Sequence, residues 1–480
     1  MKNLFKYAAA QWKSMLAIII ILFVQAYCDL SLPAYTSDIV NVGIQQGGIE
    51  DQIPEVISVE EMNRLLLFVP QEDQQTVLGA YDTDDSSYAK EAYVLKDSVS
   101  DDENEVESLK DILQGPMMLA SGFESGSDMT KQIEDQIKAN LPSQTAGEDA
   151  DIFEIMGMMP HEQRETLVEE MENQMDELPD SILEQAAVSY VRSAYEDAGM
   201  DMDQMQTHYL LTTGGKMAAL AFLGMAASVA VGFLASRVGA STGRNLRSRV
   251  FRKVVDFSNN EFDHFSTASL ITRSTNDIQQ IQLLTVMLLR IVLYAPILAI
   301  GGIFQVFQTN VSMSWIIALA VVLIALVILV LFLVAMPKFR ILQTLVDKVN
   351  LVMREILTGL PVIRAFSTEK HEEERFDAAN RELTKTNLFV NRAMTFMMPV
   401  MMLVMNGVSV LIMWTGAHGI DDGQMQVGDM MAFIQYTMQI IMGFLMLCML
   451  SIMLPRAAVA ADRVEEVMQS KTVIRDPEQP

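Results

Sequence analysis

A chain of 480 residues, half of them apolar, exceeds one ordinary soluble domain and leaves room for a membrane region beside something else. Its formal charge of −27 is unevenly spread: residues 44–205 hold 39 of the 61 acids and only 8 of the 34 bases, so the remainder is weakly basic. An acidic insert in such a chain argues against nucleic acid as a partner, and Cys28 and Cys448, both in apolar runs, leave the insert without a disulfide framework.

Lys2, Lys6 and Lys13 precede the first apolar run; no small-residue cleavage site follows, so the segment reads as a retained anchor. Stretches able to cross about 30 Å of hydrocarbon, roughly 20 residues each, fall near 15–41, 210–236, 283–307, 315–336, 394–417 and 430–454. The acidic insert lies between the first two. Within it Leu167, Met171, Met175 and Leu178 recur at helical spacing, and Ser181-Ile182-Leu183-Glu184 has the form of a capping box, so a small, mostly helical domain is expected. Residues 97–107, with Asp101, Asp102, Glu103, Glu105 and Glu107, read as a solvated loop. Asp82-Thr83-Asp84-Asp85 lacks the glycine and glutamate of a calcium loop. Met156, Met158, Met159, Met200, Met202 and Met205 read as helical core rather than a copper site, and no metal is expected.

Basic residues set the orientation. Arg237, Arg244, Arg247, Arg249, Arg252, Lys253 and Arg273 follow the second span, and ten more from Lys338 to Arg392 separate the fourth from the fifth, which puts these connections in the cytoplasm. The expected product is a multi-pass plasma-membrane protein with both termini inside and the insert outside. The connections at 237–282 and 337–393 are long and helix-like, each reading as a hairpin projecting on the order of 30 Å. The fold expected is therefore an all-α membrane protein: six long transmembrane helices, two cytoplasmic helical hairpins, and a mostly helical extracellular insert. Its parts are a cytoplasmic segment 1–13, the first membrane helix 14–43, the acidic domain 44–205, membrane helices two to six with their stalks 206–468, and a linker 469–480.

The hairpins carry the sharpest motifs. In the first, Phe257-Ser258-Asn259-Asn260-Glu261-Phe262-Asp263-His264-Phe265 leads into Ser269-Leu270-Ile271-Thr272-Arg273-Ser274-Thr275-Asn276-Asp277-Ile278. This resembles the first intracellular loop of ABC exporters, where a short coupling helix is followed by an Arg and, four residues on, an Asp; Arg273 and Asp277 match, and Ala268 stands where the family usually has glycine. The second hairpin, from Arg354-Glu355-Ile356 through Gly359, Ile363, Arg364 and Phe366 to Glu369, Glu372, Arg375 and Asn380, is similar to the second loop of that family, so short transverse elements are expected at both tips, over 257–265 and 366–373. Val427-Gly428-Asp429 opens the last span, and the Ala-rich run Arg456–Val467 closes it, as in the helix that leads into the family's motor domain.

The resemblance implies the transmembrane half of an ATP-driven exporter working with a second half-transporter and with nucleotide-binding domains; a heterodimer is preferred over a homodimer because a bulky insert could sit on one half only. It assigns coupling to the motor to Phe257, Phe262, Phe265, Arg273, Asp277, Phe366 and Glu369, and the four phenylalanines, which need burial, are expected in a docking cleft on another domain. No G-x-x-x-x-G-K-[ST] string occurs; Gly214-Gly215-Lys216-Met217 is the nearest, so no catalytic or cofactor site is expected in this chain, and ATP and Mg²⁺ are expected in a motor domain encoded past Pro480. Polar residues in spans are costly and point to the bundle interior, which makes Gln25, Asp29, Arg290, Gln435 and Gln439 candidate cavity residues. Met402 and Met405, from the methionine-rich fifth span, join them as adaptable wall for a drug, lipid or peptide. A membrane sensor or peptide-capturing protein built around the insert is the rival reading, and four further spans weigh against it.

Overall fold

The structure, a computed structural model, describes residues 11–84, 90–100, 102–125, 131, 152–160, 163–164, 166–168, 171, 179–309 and 311–470. Lys2, Lys6, Asp85, Asp101, Met175, Leu178 and residues 471–480 lie outside the described residues. In chain order the helices are α1 (Trp12–Asp38), running on as a π-helical turn Ile39–Gln45, then α2 (Val59–Leu65), α3 (Gln71–Gly79), α4 (Asp97–Ser100), α5 (Glu103–Ser125), α6 (Ile152–Met158) and α7 (Asp180–Asp197). They continue as α8 (Met202–Val255), α9 (Asn259–Phe265), α10 (Thr267–Thr272), α11 (Ile278–Met287), α12 (Leu293–Thr309), α13 (Ser314–Ala365), α14 (Glu369–Asp421) and α15 (Val427–Gln469). Among the described residues, six continuous helical stretches are long and apolar enough to cross a membrane. α8, α13 and α14 hold 54, 52 and 53 residues, about 80 Å each and more than twice what a bilayer needs.

The chain divides into two compact units, one of Ser31–Gly224 with Thr415–Phe433, the other of Met1–Leu30, Met225–Trp414 and Ile434–Pro480. In the first, α5 packs on α7 over a core whose fully buried members include Phe68, Leu113, Met117, Met156 and Tyr190. Met159, Met200, Met202 and Met205 pack against that core, whereas Met158 is exposed.

Beside its helices the insert holds a small sheet: β1 (Val56–Ser58), β2 (Tyr81–Asp84) and β3 (Ala92–Leu95) pair antiparallel in the order β1-β3-β2, with Ile57 opposite Tyr93 and Thr83 opposite Tyr93 on the other side. Strands this short show no alternation to read. Two expectations for the insert are corrected. Residues 97–100 and 103–107 are helical, in α4 and the start of α5; a cluster of acids favours a helix N-terminus, where unpaired amides carry partial positive charge. Finally, α7 is capped at Pro179, whose extended ψ of 141° starts the helix one residue before the expected capping box.

The second unit contains two antiparallel helix pairs. α13 and α14 are zipped by Lys348 to Glu382 at 2.9 Å, Arg375 to Glu355, and Lys338 lying 5.7 Å over the Phe389 ring. Each arm carries an internal proline far from the turn, Pro337 and Pro399. α8 runs against the third membrane helix closely enough that a methyl on Gly239 would lie 2.5 Å from Val286, and one on Gly243 2.5 Å from the Gln282 side-chain oxygen.

Candidate functional site

The connection from α8 to the third membrane helix is a small folded module. Ser258 starts α9, and Glu261 reaches back to accept from its backbone N–H at 2.7 Å and from its hydroxyl. Phe257, just outside the helix, packs edge-on against Phe262 inside it with centroids 6.1 Å apart, which fixes the angle of entry. Phe257 also stacks on Phe265 at 5.8 Å. Phe265 is 5 % exposed, its face covered by the Arg273 guanidinium 4.9 Å from the ring centroid. Its burial comes from this chain itself, where the sequence reading looked to a cleft on another domain. Ser266, at φ 49°, breaks the backbone between α9 and α10, and Ala268 sits in the regular helix beyond it.

Arg273 and Asp277 bound a π-helical turn, and they pair with the end of α15 rather than with each other. The Arg273 Nη1 donates to Glu466 and to the Arg463 carbonyl oxygen, both at 2.7 Å. Arg463 returns toward the buried Asp277, nitrogen to oxygen 3.7 Å. The two pairs cross, and Ala457, Ala460, Ala461 and Val464 close the apolar seam around Phe265, Leu270 and Ile278. Small alanines let the helices approach. Beside the seam an open depression of 460 Å³ is lined by Asn260, His264, Phe265, Glu466 and Gln469, among others.

The connection from α13 to α14 differs from the transverse element expected over 366–373. It is a three-residue turn. The Thr368 N–H donates to the Ile363 carbonyl at 3.1 Å and the Ser367 N–H to that of Arg364 at 3.4 Å, a Schellman closure with serine in the left-handed position at φ 53°. The next helix starts at once, so Glu369 belongs to its first turn, where a carboxylate favours the exposed amides. Phe366 is 76 % exposed.

Among the candidate cavity residues, three meet. Tyr294 of α12 donates its hydroxyl to the Asp29 carboxylate and is hydrogen-bonded to Gln25; Gln439 of α15 donates from Nε2 to the Asp29 carbonyl at 2.8 Å. Gln435 and Met405 are half-buried, while Arg290 and Met402 are exposed. Gly214, Gly215 and Lys216 lie inside continuous α8, whose amides are committed to helical bonding, so they offer no cradle for a phosphate.

A family model described as the ABC transporter transmembrane region matches residues 184–444. The chain belongs to that family. An uncharacterized ABC transporter ATP-binding protein of Mycobacterium tuberculosis is 36% identical over 290 residues, 60% of this chain and 50% of that protein. An uncharacterized ABC transporter ATP-binding protein of Bacillus subtilis is 35% identical over 263 residues, 54% of this chain and 45% of that protein. The mitochondrial iron-sulfur clusters transporter atm1 of Neurospora crassa is 26% identical over 250 residues, 48% of this chain and 34% of that protein. The chain thus spans about half the length of the first two of these ABC transporter proteins.

The Val427-Gly428-Asp429 string noted in the sequence as an ABC exporter feature has a steric reason. The Gly428 N–H donates to Asn41 Oδ1 at 2.7 Å, and a methyl there would sit 2.5 Å from that oxygen and 2.6 Å from the Ser37 carbonyl. Asp429 accepts from Ser37 at 2.8 Å and from Asn41 at 3.1 Å. Sequence reasoning missed Ser37, Asn41, Tyr294, Arg463 and Glu466 as partners. Their contacts span hundreds of residues, and only a polar side chain stranded in an apolar run, as at Asn41, gave any sign of them.

Proposed function

We propose that this ABC transporter membrane domain is one half of an ATP-driven exporter that moves an amphipathic or hydrophobic drug, lipid or peptide out of the cell by alternating access. The observation that carries the reading is the crossed attachment of Arg273 and Asp277 to Glu466 and Arg463, which ties the first connection to the end of the last helix. A motor acting on either element moves both. In this reading nucleotide-binding domains holding ATP and Mg²⁺ couple through Phe257, Phe262, Phe265, Arg273, Asp277, Phe366 and Glu369, with the buried Phe265 and Asp277 acting through the module they hold together, and a second half-transporter, different in sequence, completes the pathway. Gln25, Asp29, Arg290, Met402, Met405, Gln435 and Gln439 line that pathway. The protein sits in the plasma membrane with both termini in the cytoplasm and the acidic domain outside, which the basic residues of the connections support.

The test is reconstitution of the full-length gene product with its partner half in liposomes. ATP-dependent solute movement that a non-hydrolysable analogue does not support is expected; its absence with every partner and solute class would sink the reading. A cysteine placed at Asp102 should react with an impermeant thiol reagent in intact cells, and protection until lysis would invert the topology.

A further inference from the structure

Asp29 lies near the middle of its membrane helix, about 25 Å along the axis from Trp12. A carboxylate at that depth is expensive unless it is protonated or has a cationic partner. Among the described residues its hydrogen-bonding company is neutral: the Tyr294 hydroxyl on its carboxylate, Gln25 on Tyr294, and the Gln439 amide on its own carbonyl. Among the described residues no Lys, Arg or His forms an ion pair with it. On the same Gln439 side chain the oxygen Oε1 is fully buried with no hydrogen-bond partner, a condition that costs about 1–3 kcal/mol when nothing relieves it.

The helices around this cluster are pressed together. A methyl on Gly301 would lie 2.4 Å from Leu30, one on Gly302 2.8 Å from Ile440, and one on Gly443 3.2 Å from the Ala295 carbonyl oxygen. Small residues at such contacts hold α1, α12 and α15 in one arrangement. The acceptors are therefore preorganised, and what they lack is a donor carrying positive charge. A phenol satisfies one lone pair of a carboxylate but contributes no charge; an ammonium or guanidinium supplies the charge and further N–H donors together.

We propose that Asp29, with Gln25 and Gln439, receives the protonated amine or guanidinium of a cationic amphipathic substrate, while Tyr294 is a positioning residue that orients the carboxylate. The proposal rests on the reading of this bundle as a transport pathway and narrows its substrate class. Its test is direct binding to the full chain in nanodiscs of zwitterionic lipid, with empty nanodiscs as background and two probes of equal chain length, dodecylamine and dodecanol. At pH 7 the native chain is expected to bind dodecylammonium at least tenfold more tightly than dodecanol. Asp29→Asn, which keeps an acceptor for Tyr294, should abolish that preference, and Tyr294→Phe, which keeps the charge, should retain most of it. Equal binding of the two probes by the native chain overturns the proposal, as does an unchanged preference in folded Asp29→Asn. If Asp29→Asn does not fold, the native comparison and Tyr294→Phe decide the matter. Equal binding with intact ATP-driven transport would leave the exporter reading standing; selective binding without transport would overturn that reading alone.

Discussion

The two connections between long helices solve one problem in opposite ways. Between α8 and the third membrane helix the chain folds a module of its own, with Phe265 buried, Arg273 laid over its ring, and the end of α15 fastened alongside. Between α13 and α14 it spends three residues on a turn and leaves Phe366 in the open. The first connection covers Phe265 by intramolecular contacts and leaves Phe262 partly exposed, whereas the second leaves its aromatic ring in the open, a surface suited to burial by another body. Both were read in the sequence as the same kind of element, so similar aromatic motifs at similar membrane depth do not fix how much of the chemistry is internal.

The largest expected effect separates the two directly. Phe265→Ala should destabilise the chain by about 3–5 kcal/mol, the range for emptying a buried aromatic site, seen as a lower unfolding midpoint in detergent. Phe366→Ala should leave that midpoint nearly unchanged and instead reduce substrate-stimulated ATP hydrolysis of the complete transporter with substrate affinity intact. The reverse pattern would break the comparison.

The acidic domain supplies a reference outside both connections. Burial, the neighbouring Glu124 carboxylate and Asp197 raise Glu61 from its ordinary value of 4.5 to about 7, with Arg64 opposing them. The folded domain therefore binds a proton that the unfolded chain releases, so this stabilisation is complete below pH 4.5 and is lost as pH rises toward and through 7. Melting temperature should fall by a few degrees over that window and Glu61→Gln should flatten the fall, with hydrogen exchange locating the change in α2 and α5. An identical slope in the variant would remove Glu61 as the cause.

Smaller effects test the turn and the crossing. Ser367→Val places a β-branched residue in a left-handed position and should cost about 1–2 kcal/mol, while Ser367→Gly should be neutral or slightly stabilising; equal melts for the two variants would argue against this turn geometry. Glu466 is half exposed, so a double-mutant cycle between Arg273→Ala and Glu466→Ala should return only about 0.5–1 kcal/mol of coupling. A value near zero would loosen the first module from α15 and make the two connections more alike.

The six membrane helices were legible because some twenty consecutive apolar residues admit one structure in hydrocarbon. The insert was less so. Val56–Ser58 and Ala92–Leu95 are too short to show a period, and the acids of 97–107 suit a solvated loop and a helix N-terminus equally. In the candidate site, Phe257, Phe265, Arg273 and Asp277 could be singled out by motif, but their partners Arg463 and Glu466 lie 190 or so residues away, a distance across which no local pattern carries information. The turn at 366–368 was misread for a different reason: Ser367 takes a conformation that glycine usually signals.

The prolines of the zipped pair have a mechanical consequence. Pro337 and Pro399 stand 30 and 32 residues from Ser367 along their arms, about 45–48 Å of helix on each side. Each removes one backbone hydrogen bond where the helix would otherwise resist bending. The ion pairs of Lys348 with Glu382 and of Arg375 with Glu355 fall between those prolines and the turn, and Pro361 lies nearer the turn than either pair, so the zipped length ends at two weak points at nearly the same level. That is a lever with a paired fulcrum: a tilt of about 5° there would carry the tip at Phe366 sideways by roughly 4 Å, comparable to the width of an aromatic ring.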